Sequence, residues 1–379
     1  MKAFGIISNG MERFAIDEIK SLLNTDKIET LNNCLIFKVE NYKQIIKLIY
    51  LSKSFFKIGL VLTKIKLSDF ENSFEINDSE FSIIKKLNLE TQSMATKFIS
   101  KNENYKKQDL EREIGTKICT KYNIKVNLSN PTINFYGYID KTIFMVGIDF
   151  SEIDLSKREY KLHNSINSLK GNIAYAAYQI LIENEKKISN KTILDPFCDT
   201  GITLIESALS QKEMSTNYYR KNIFGILKIK ELFDFNILEY IISLDNLKEL
   251  KTKFIGHDSA IKNVLYSQKN AKVMGLKPIK FTKILFNDID IKYEEHLFDY
   301  IITQPNISFK KTESDKIGKK IENFWIRIDY LLKKNKQSKL VLILKSDRYY
   351  LEPIGFKIES KHEIIIGKET NTIIKYKRV

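Results

Sequence analysis

From about residue 151 to the C-terminus, short apolar runs alternate with helical ones, and no other feature constrains the fold as tightly. The runs "TILDPF", "KFIGHD", "IKFTKILFNDI", "FDYIITQP" and "KLVLIL" are separated by stretches such as "AIKNVLYSQKNAKVMG", and a β-rich tail follows. Parallel neighbours can be joined only by a crossover connection, so this order predicts an α/β domain with a doubly wound, mostly parallel sheet and an antiparallel last strand. The stretch Lys212–Lys253 breaks the rhythm with aromatic and charged residues and reads as an insertion packed on this same domain.

Open α/β sheets bind ligands beyond the carboxyl ends of their strands, where loop amides and helix N-termini point outward. Three acids fall at such ends: Asp195, with Gly201 in the turn after it; Asp258, closing "FIGHDSA"; and Asp288, in "LFNDIDI". A carboxylate after the second strand accepts two hydrogen bonds from a ribose diol, and one after the third accepts from an adenine amine. Together they suit a nucleoside cofactor, although each alone also reads as a helix cap. A fourth strand end, "DYIITQPNISF", brings Gln304 and Pro305 to the rim, where a polar side chain before a rigid proline can hold a substrate amine. Pro-Asn is equally ordinary turn chemistry.

Upstream, residues 1 to about 75 alternate β-rich runs (3–7, 34–39, 57–65) with helical ones (12–23, 42–50), which suits a small α+β sheet. Residues 76–150 read as a second small unit. In it the helical spacing of Leu110, Ile114 and Ile118 precedes two strands paired around Asp140-Lys141. The basic turn "SKNENYKKQ" enters that helix, either as a phosphate-contacting loop or as a wet surface turn.

With 379 residues, two or three domains are expected. Lys and Arg number 62 against 47 Asp and Glu, a formal charge of +15. That excess favours polyanionic partners, but lysine is abundant along the whole chain, so charge alone does not choose between nucleic acid and a solvated surface. Three scattered cysteines and four histidines show no metal-ligand spacing, which argues against structural metal and for a reducing, cytoplasmic setting. The N-terminal residues do not read as a signal peptide, and no run is apolar enough to span a membrane.

The stretch "ILDPFCDTGITLIESAL" resembles the first motif of the THUMP-containing, SAM-dependent tRNA guanine-N(2)-methyltransferases, D-P-F-C-G-S-G-T followed by an I-E-A-like helix. "SNPTINFYGYIDKTIFMVGIDFSEIDLSKREYKLHNSINSLKGNIAYAAYQI" resembles their connector. "NGMERFAIDEI" and "ATKFISKNENYKKQDLEREIGTKI" are similar to the N-terminal ferredoxin-like unit and the THUMP core. The resemblance implies a ferredoxin-like unit (1–75), a THUMP domain (76–150), a connector with the first catalytic helix (151–180) and a Rossmann-like methyltransferase domain (181–379). It implies S-adenosylmethionine (SAM) as cofactor and tRNA as partner, with transfer to the exocyclic amine of a guanosine. Carried over residue by residue, Asp195, Phe197, Cys198, Asp199 and Gly201 line the methionine side of the cofactor. Asp258 and Ser259 lie at its ribose and Asp288 at its adenine. "TQPN" (Thr303, Gln304, Pro305, Asn306) stands where the family has [N/D]-P-P-[Y/F] and implies the catalytic loop. Lys106 and Lys107 in the THUMP-like turn, with Lys157 and Arg158 in the connector, are the implied phosphate contacts.

Two positions depart from the family pattern. Asp199 replaces a glycine, so a side chain must be housed where the family has none. In the fourth motif Gln304 replaces Asn or Asp, Asn306 the second proline and Ile307 the aromatic, leaving Phe309, Phe324 or Trp325 to supply a ring. The alternative is therefore a non-catalytic RNA-binding relative; an adenine-amino DNA methyltransferase is a third option that the THUMP-like half opposes.

Overall fold

The computed structural model describes residues 1–77, 82–87, 92–185, 188–305, 314–345 and 353–379, with the backbone only for Ser73 and residues 314–318. Two compact units emerge. One comprises Met1–Leu155 with Tyr219–Asp245, the other Ser156–Tyr218 with Asn246–Val379.

The first unit is built on β1 (Lys2–Ile6), α1 (Glu12–Leu23), β2 (Ile28–Leu31), β3 (Cys34–Lys38), α2 (Tyr42–Leu51), β4 (Lys57–Lys66), α3 (Leu67–Ser73), β5 (Ser93–Ser100), α4 (Lys107–Tyr122), β6 (Lys125–Val126), β7 (Ile133–Ile139) and β8 (Ile143–Asp149). Its strands form one sheet, ordered β2-β3-β1-β4-β8-β7-β5-β6. The sequence suggested two small units here; the sheet runs through both. The ten-residue β4 is the reason: one edge pairs antiparallel with β1 and the other with β8, from Gly59↔Asp149 to Lys66↔Ile143. Joining the two sub-sheets leaves neither with an unpaired edge at that point. Leu110, Ile114 and Ile118 are buried on α4 as their spacing predicts. The β7–β8 hairpin closes at Asp140, whose Oδ1 accepts the amides of Thr142 (2.7 Å) and Ile143 (3.0 Å).

The second unit begins with the connector and α5 (Gly171–Ile182), which is buried nearly all round and correspondingly apolar. Then come β9 (Thr192–Asp195) and α6 (Ile202–Gln211). Here the insertion corrects the sequence reading. Tyr219–Asp245, including α7 (Ile237–Ser243), belongs to the first unit, not to the second. Its aromatic residues account for this: Phe233 packs edge-on against Tyr42 (5.0 Å between centroids) and against Phe150. The chain continues in the second unit through β10 (Lys253–Asp258), α8 (Ile261–Val273), β11 (Lys280–Lys283), α9 (Ile289–Lys292), β12 (Tyr300–Thr303), α10 (Ser314–Leu331), β13 (Lys339–Leu344), β14 (Phe356–Ile366) and β15 (Glu369–Arg378).

The sheet order is β11-β10-β9-β12-β13-β15-β14. β9 to β13 run parallel, and β15 is antiparallel to both neighbours, as expected. Leu194, Ile301, Leu340 and Leu342 bury one core with Ile328 and Leu331 of α10. Because strand order reverses between β9 and β12, the carboxyl ends of β9, β10 and β12 flank the crevice where such sheets take ligands. Among the described residues no helix is long and apolar enough to cross a membrane.

Candidate active site

At the end of β9, Asp195 is wholly buried. Its Oδ1 accepts from the Phe197 amide (3.1 Å) and from the Thr303 hydroxyl (2.6 Å), while Oδ2 has no partner among the described residues. Burial pushes its carboxyl up to about 7. A cationic group brought to the free oxygen favours the ionised form and satisfies the orphan acceptor at once. The Thr303 bond matters for a second reason. Thr303 ends β12, so one carboxylate ties the first turn to the loop carrying Gln304 and Pro305, both half-buried.

Asp258, at the end of β10, is the second anchor. Its Oδ2 accepts the Asp199 amide (3.0 Å), and its Oδ1 accepts the Ala260 amide (2.8 Å) and the Asn263 side chain (3.1 Å). One carboxylate thus holds both the entry to α8 and the first turn, and burial raises this carboxyl too. Asp199 solves the missing-glycine problem directly. Its backbone is left-handed, φ 46°, a conformation aspartate tolerates better than most residues. Its Oδ2 accepts from Ser165 Oγ (2.7 Å) of the connector, so the side chain leaves the turn rather than filling it. Ser168 and Thr200 hydroxyls lie 2.6 Å apart, and Asn270 bonds both the main chain of His163 and the carbonyl of Thr200. The connector is therefore strapped onto the turn.

Gly201 is needed for packing as well as for its φ of +81°. A Cβ there would lie 2.9 Å from Ser267 Cβ and 3.0 Å from the Phe281 ring. Cys198 is a correction: it is buried, its amide donates to the His257 carbonyl (2.7 Å) and its thiol faces Ser267, so it offers no free polar group to a ligand. Phe197 is half-buried, with its ring 4.6 Å from Phe286 and 6.2 Å from Phe324. Asp288 is exposed and ends a short 3-10 turn that starts at Phe286. Ser259 is exposed beside Asp258.

Of the remaining predicted residues, Asn306 and Phe309 lie outside the described residues. Phe324 is buried, and Trp325 packs on Phe356 and Tyr376, so neither presents a face to a base. Lys106, Lys107 and Lys157 are exposed. Arg158 is the second correction. Its side chain is fully buried, with Nε 2.8 Å from Glu206 Oε1, and the Tyr160 hydroxyl bonds the same oxygen. A Cβ on Gly171 would strike the guanidinium, so the arginine fills that space and is not available to a phosphate.

Sequence reasoning missed Ser165, Phe286 and the polar stripe on α8, half-buried Asn263 with buried Ser267 and Asn270. The stripe was legible: polar residues at i, i+4 and i+7 on a face that also buries Val264 and Ala271.

Comparison with known proteins adds a second line. Residues 158–349 match the UPF0020 family, described as RMKL-like, methyltransferase domain, and residues 74–149 match the THUMP domain. The chain is similar to the tRNA (guanine(6)-N2)-methyltransferase of Methanocaldococcus jannaschii, 25% identical over 97% of each chain. It is 25% identical to the ribosomal RNA large subunit methyltransferase K/L of Buchnera aphidicola subsp. Schizaphis graminum over 67% of this chain, but spans only 37% of that protein. Among solved structures, SMU.472, a putative methyltransferase complexed with SAH, shares the fold: TM-score 0.69, 17% identity, 99% of this chain and 97% of that one.

Proposed function

The chain belongs to the UPF0020 family of RMKL-like methyltransferase domains, and from that premise we propose that it is a SAM-dependent tRNA methyltransferase acting on the exocyclic N2 amine of a guanosine, in a cytoplasmic setting. The observation that carries this reading is Asp195, a fully buried acid with one oxygen unpartnered and the other bonded to the loop that would hold the target amine. A buried, unsatisfied carboxylate is costly without a ligand. An ammonium or sulfonium-bearing nucleoside is the kind of ligand that offsets the cost.

The residues fit that cofactor. Asp195 would hold its cationic end, Asp258 its ribose, and Asp288 with the Phe197–Phe286 wall its adenine. Bound there, SAM supplies an electrophilic methyl group. The protein's own work is positional. The Gln304 side-chain carbonyl and the Pro305 main-chain carbonyl accept the amine hydrogens, which raises electron density on the nitrogen and aims its lone pair. The Thr303–Asp195 bond fixes that loop relative to the cofactor turn. A target base inside a duplex must be flipped out to reach the loop. The THUMP-containing unit, through Lys106 and Lys107, and Lys157 of the connector would contact the RNA backbone.

A calorimetric titration with SAM tests the reading, with Asp258→Ala as the control. Micromolar binding lost in the variant supports it. No heat from folded protein that still binds tRNA supports the non-catalytic alternative instead.

A further inference from the structure

In the second unit, the segment 259–287 forms α8 and the edge strand β11, and it contains six lysines and no acid: Lys262, Lys269, Lys272, Lys277, Lys280 and Lys283. All six are exposed, and none makes an ion pair with a described residue. Some other lysines of the same unit do have acidic neighbours: Lys248 faces Glu213, Lys251 Glu249, Lys333 Asp299 and Lys361 Glu363. Across residues 259–287 no acid interrupts the six, so their charge is concentrated on one face.

The lysines are also arranged. On α8, Lys262, Lys269 and Lys272 fall within an arc of roughly 80° at 100° per residue, opposite the buried Val264, Ser267 and Ala271. Lys262 and Lys269 are about 10 Å apart along the axis, which spans about three nucleotide steps of a strand. Lys262 lies over the Tyr266 ring at 5.5 Å, and Tyr266 stacks on His163 of the connector strap (4.5 Å, 10°). The face thus starts where the strap crosses the first turn, next to Asp258, which accepts the Ala260 amide at the entry to α8.

We propose that the α8–β11 face of the catalytic unit is an RNA-backbone contact surface that seats the substrate strand beside the cofactor turn. The proposal rests on the RNA reading above and goes beyond the THUMP and connector lysines already assigned. Contacts to phosphate release condensed counterions, so each one steepens the salt dependence of binding by about 0.7–0.9 in log–log slope.

The test is binding of unfractionated tRNA to the full chain over 50–300 mM salt, for the wild type, for Lys262→Ala/Lys269→Ala/Lys272→Ala, and for Lys357→Ala/Lys368→Ala/Lys377→Ala. The second triple removes the same charge from exposed lysines of the C-terminal hairpin. The α8 triple should bind at least tenfold more weakly at the low-salt end, with a slope shallower by about 2–3. The hairpin triple should keep the wild-type slope, and both should keep wild-type affinity for SAM. An α8 triple matching the wild type, or a hairpin triple losing as much, overturns the face and leaves the methyltransferase reading standing. A wild type that binds SAM but no tRNA removes the RNA reading itself, and the face with it.

Discussion

Asp199 stands where the family motif it resembles has a glycine, and its energetics are specific enough to test. A non-glycine residue at φ 46° costs about 1 kcal/mol, somewhat less for aspartate than for alanine. Against that stands the 2.7 Å bond from Ser165, about 1 kcal/mol once its half-exposed setting is discounted. Asp199→Ala loses the bond and keeps the strained backbone, slightly more costly for alanine, so it should destabilise the second unit by about 1 kcal/mol or a little more. Asp199→Gly loses the same bond but relieves the backbone, so it should be close to neutral. Ser165→Ala should cost about 1 kcal/mol, and combined with Asp199→Ala it should add almost nothing. The single tryptophan, Trp325, lies against the core of the second unit, so urea unfolding followed by its fluorescence reports that unit alone. Equal destabilisation by alanine and glycine, or full additivity of the Ser165 and Asp199 changes, would refute the idea that the connector accommodates this side chain.

Three further outcomes follow from the geometry. Asp195 has a folded-state value near 7, against 3.8 when free, so the stability tied to its neutral form is present at acid pH and lost as pH rises through about 7. Wild-type protein without cofactor should therefore lose up to about 4 kcal/mol relative to Asp195→Asn between pH 4 and 8, measured by urea unfolding. A flat difference would remove the buried charge from the account. Thr303→Val should weaken SAM binding about tenfold, equivalent to about 1.4 kcal/mol, and Thr303→Ser should restore it in calorimetry. Arg158→Ala, which strands Glu206, should cost about 3–5 kcal/mol in unfolding while leaving the salt slope of tRNA binding unchanged. A shallower slope would reinstate Arg158 as a phosphate contact.

How far the sequence was readable depended on whether a feature was local. Strand ends and crossover helices were legible, with Asp195 closing β9 and Asp258 closing β10, because period and strand-end chemistry are written in neighbouring residues; Asp288 lies past the end of β11, in the turn that starts at Phe286. The joining of the two N-terminal sub-sheets was not, since the β4–β8 pairing links residues far apart and any β-branched strand could have served as an edge. The home of Tyr219–Asp245 was hidden for the same reason: aromatic residues announce burial but not the partner, here Tyr42 and Phe150. Arg158 and Lys157 look alike in sequence, and only the fold shows one facing Glu206 and the other solvent. The Ser165–Asp199 bond likewise needed the strap's path over the turn.

The central claim, methyl transfer to guanosine N2, is tested most directly by incubating the protein with tRNA lacking base modifications and SAM carrying a labelled methyl group, then digesting the RNA to nucleosides. Label in N2-methylguanosine, lost with Asp258→Ala, is the predicted result. Label in another nucleoside, or none from protein shown by calorimetry to bind SAM, would contradict it.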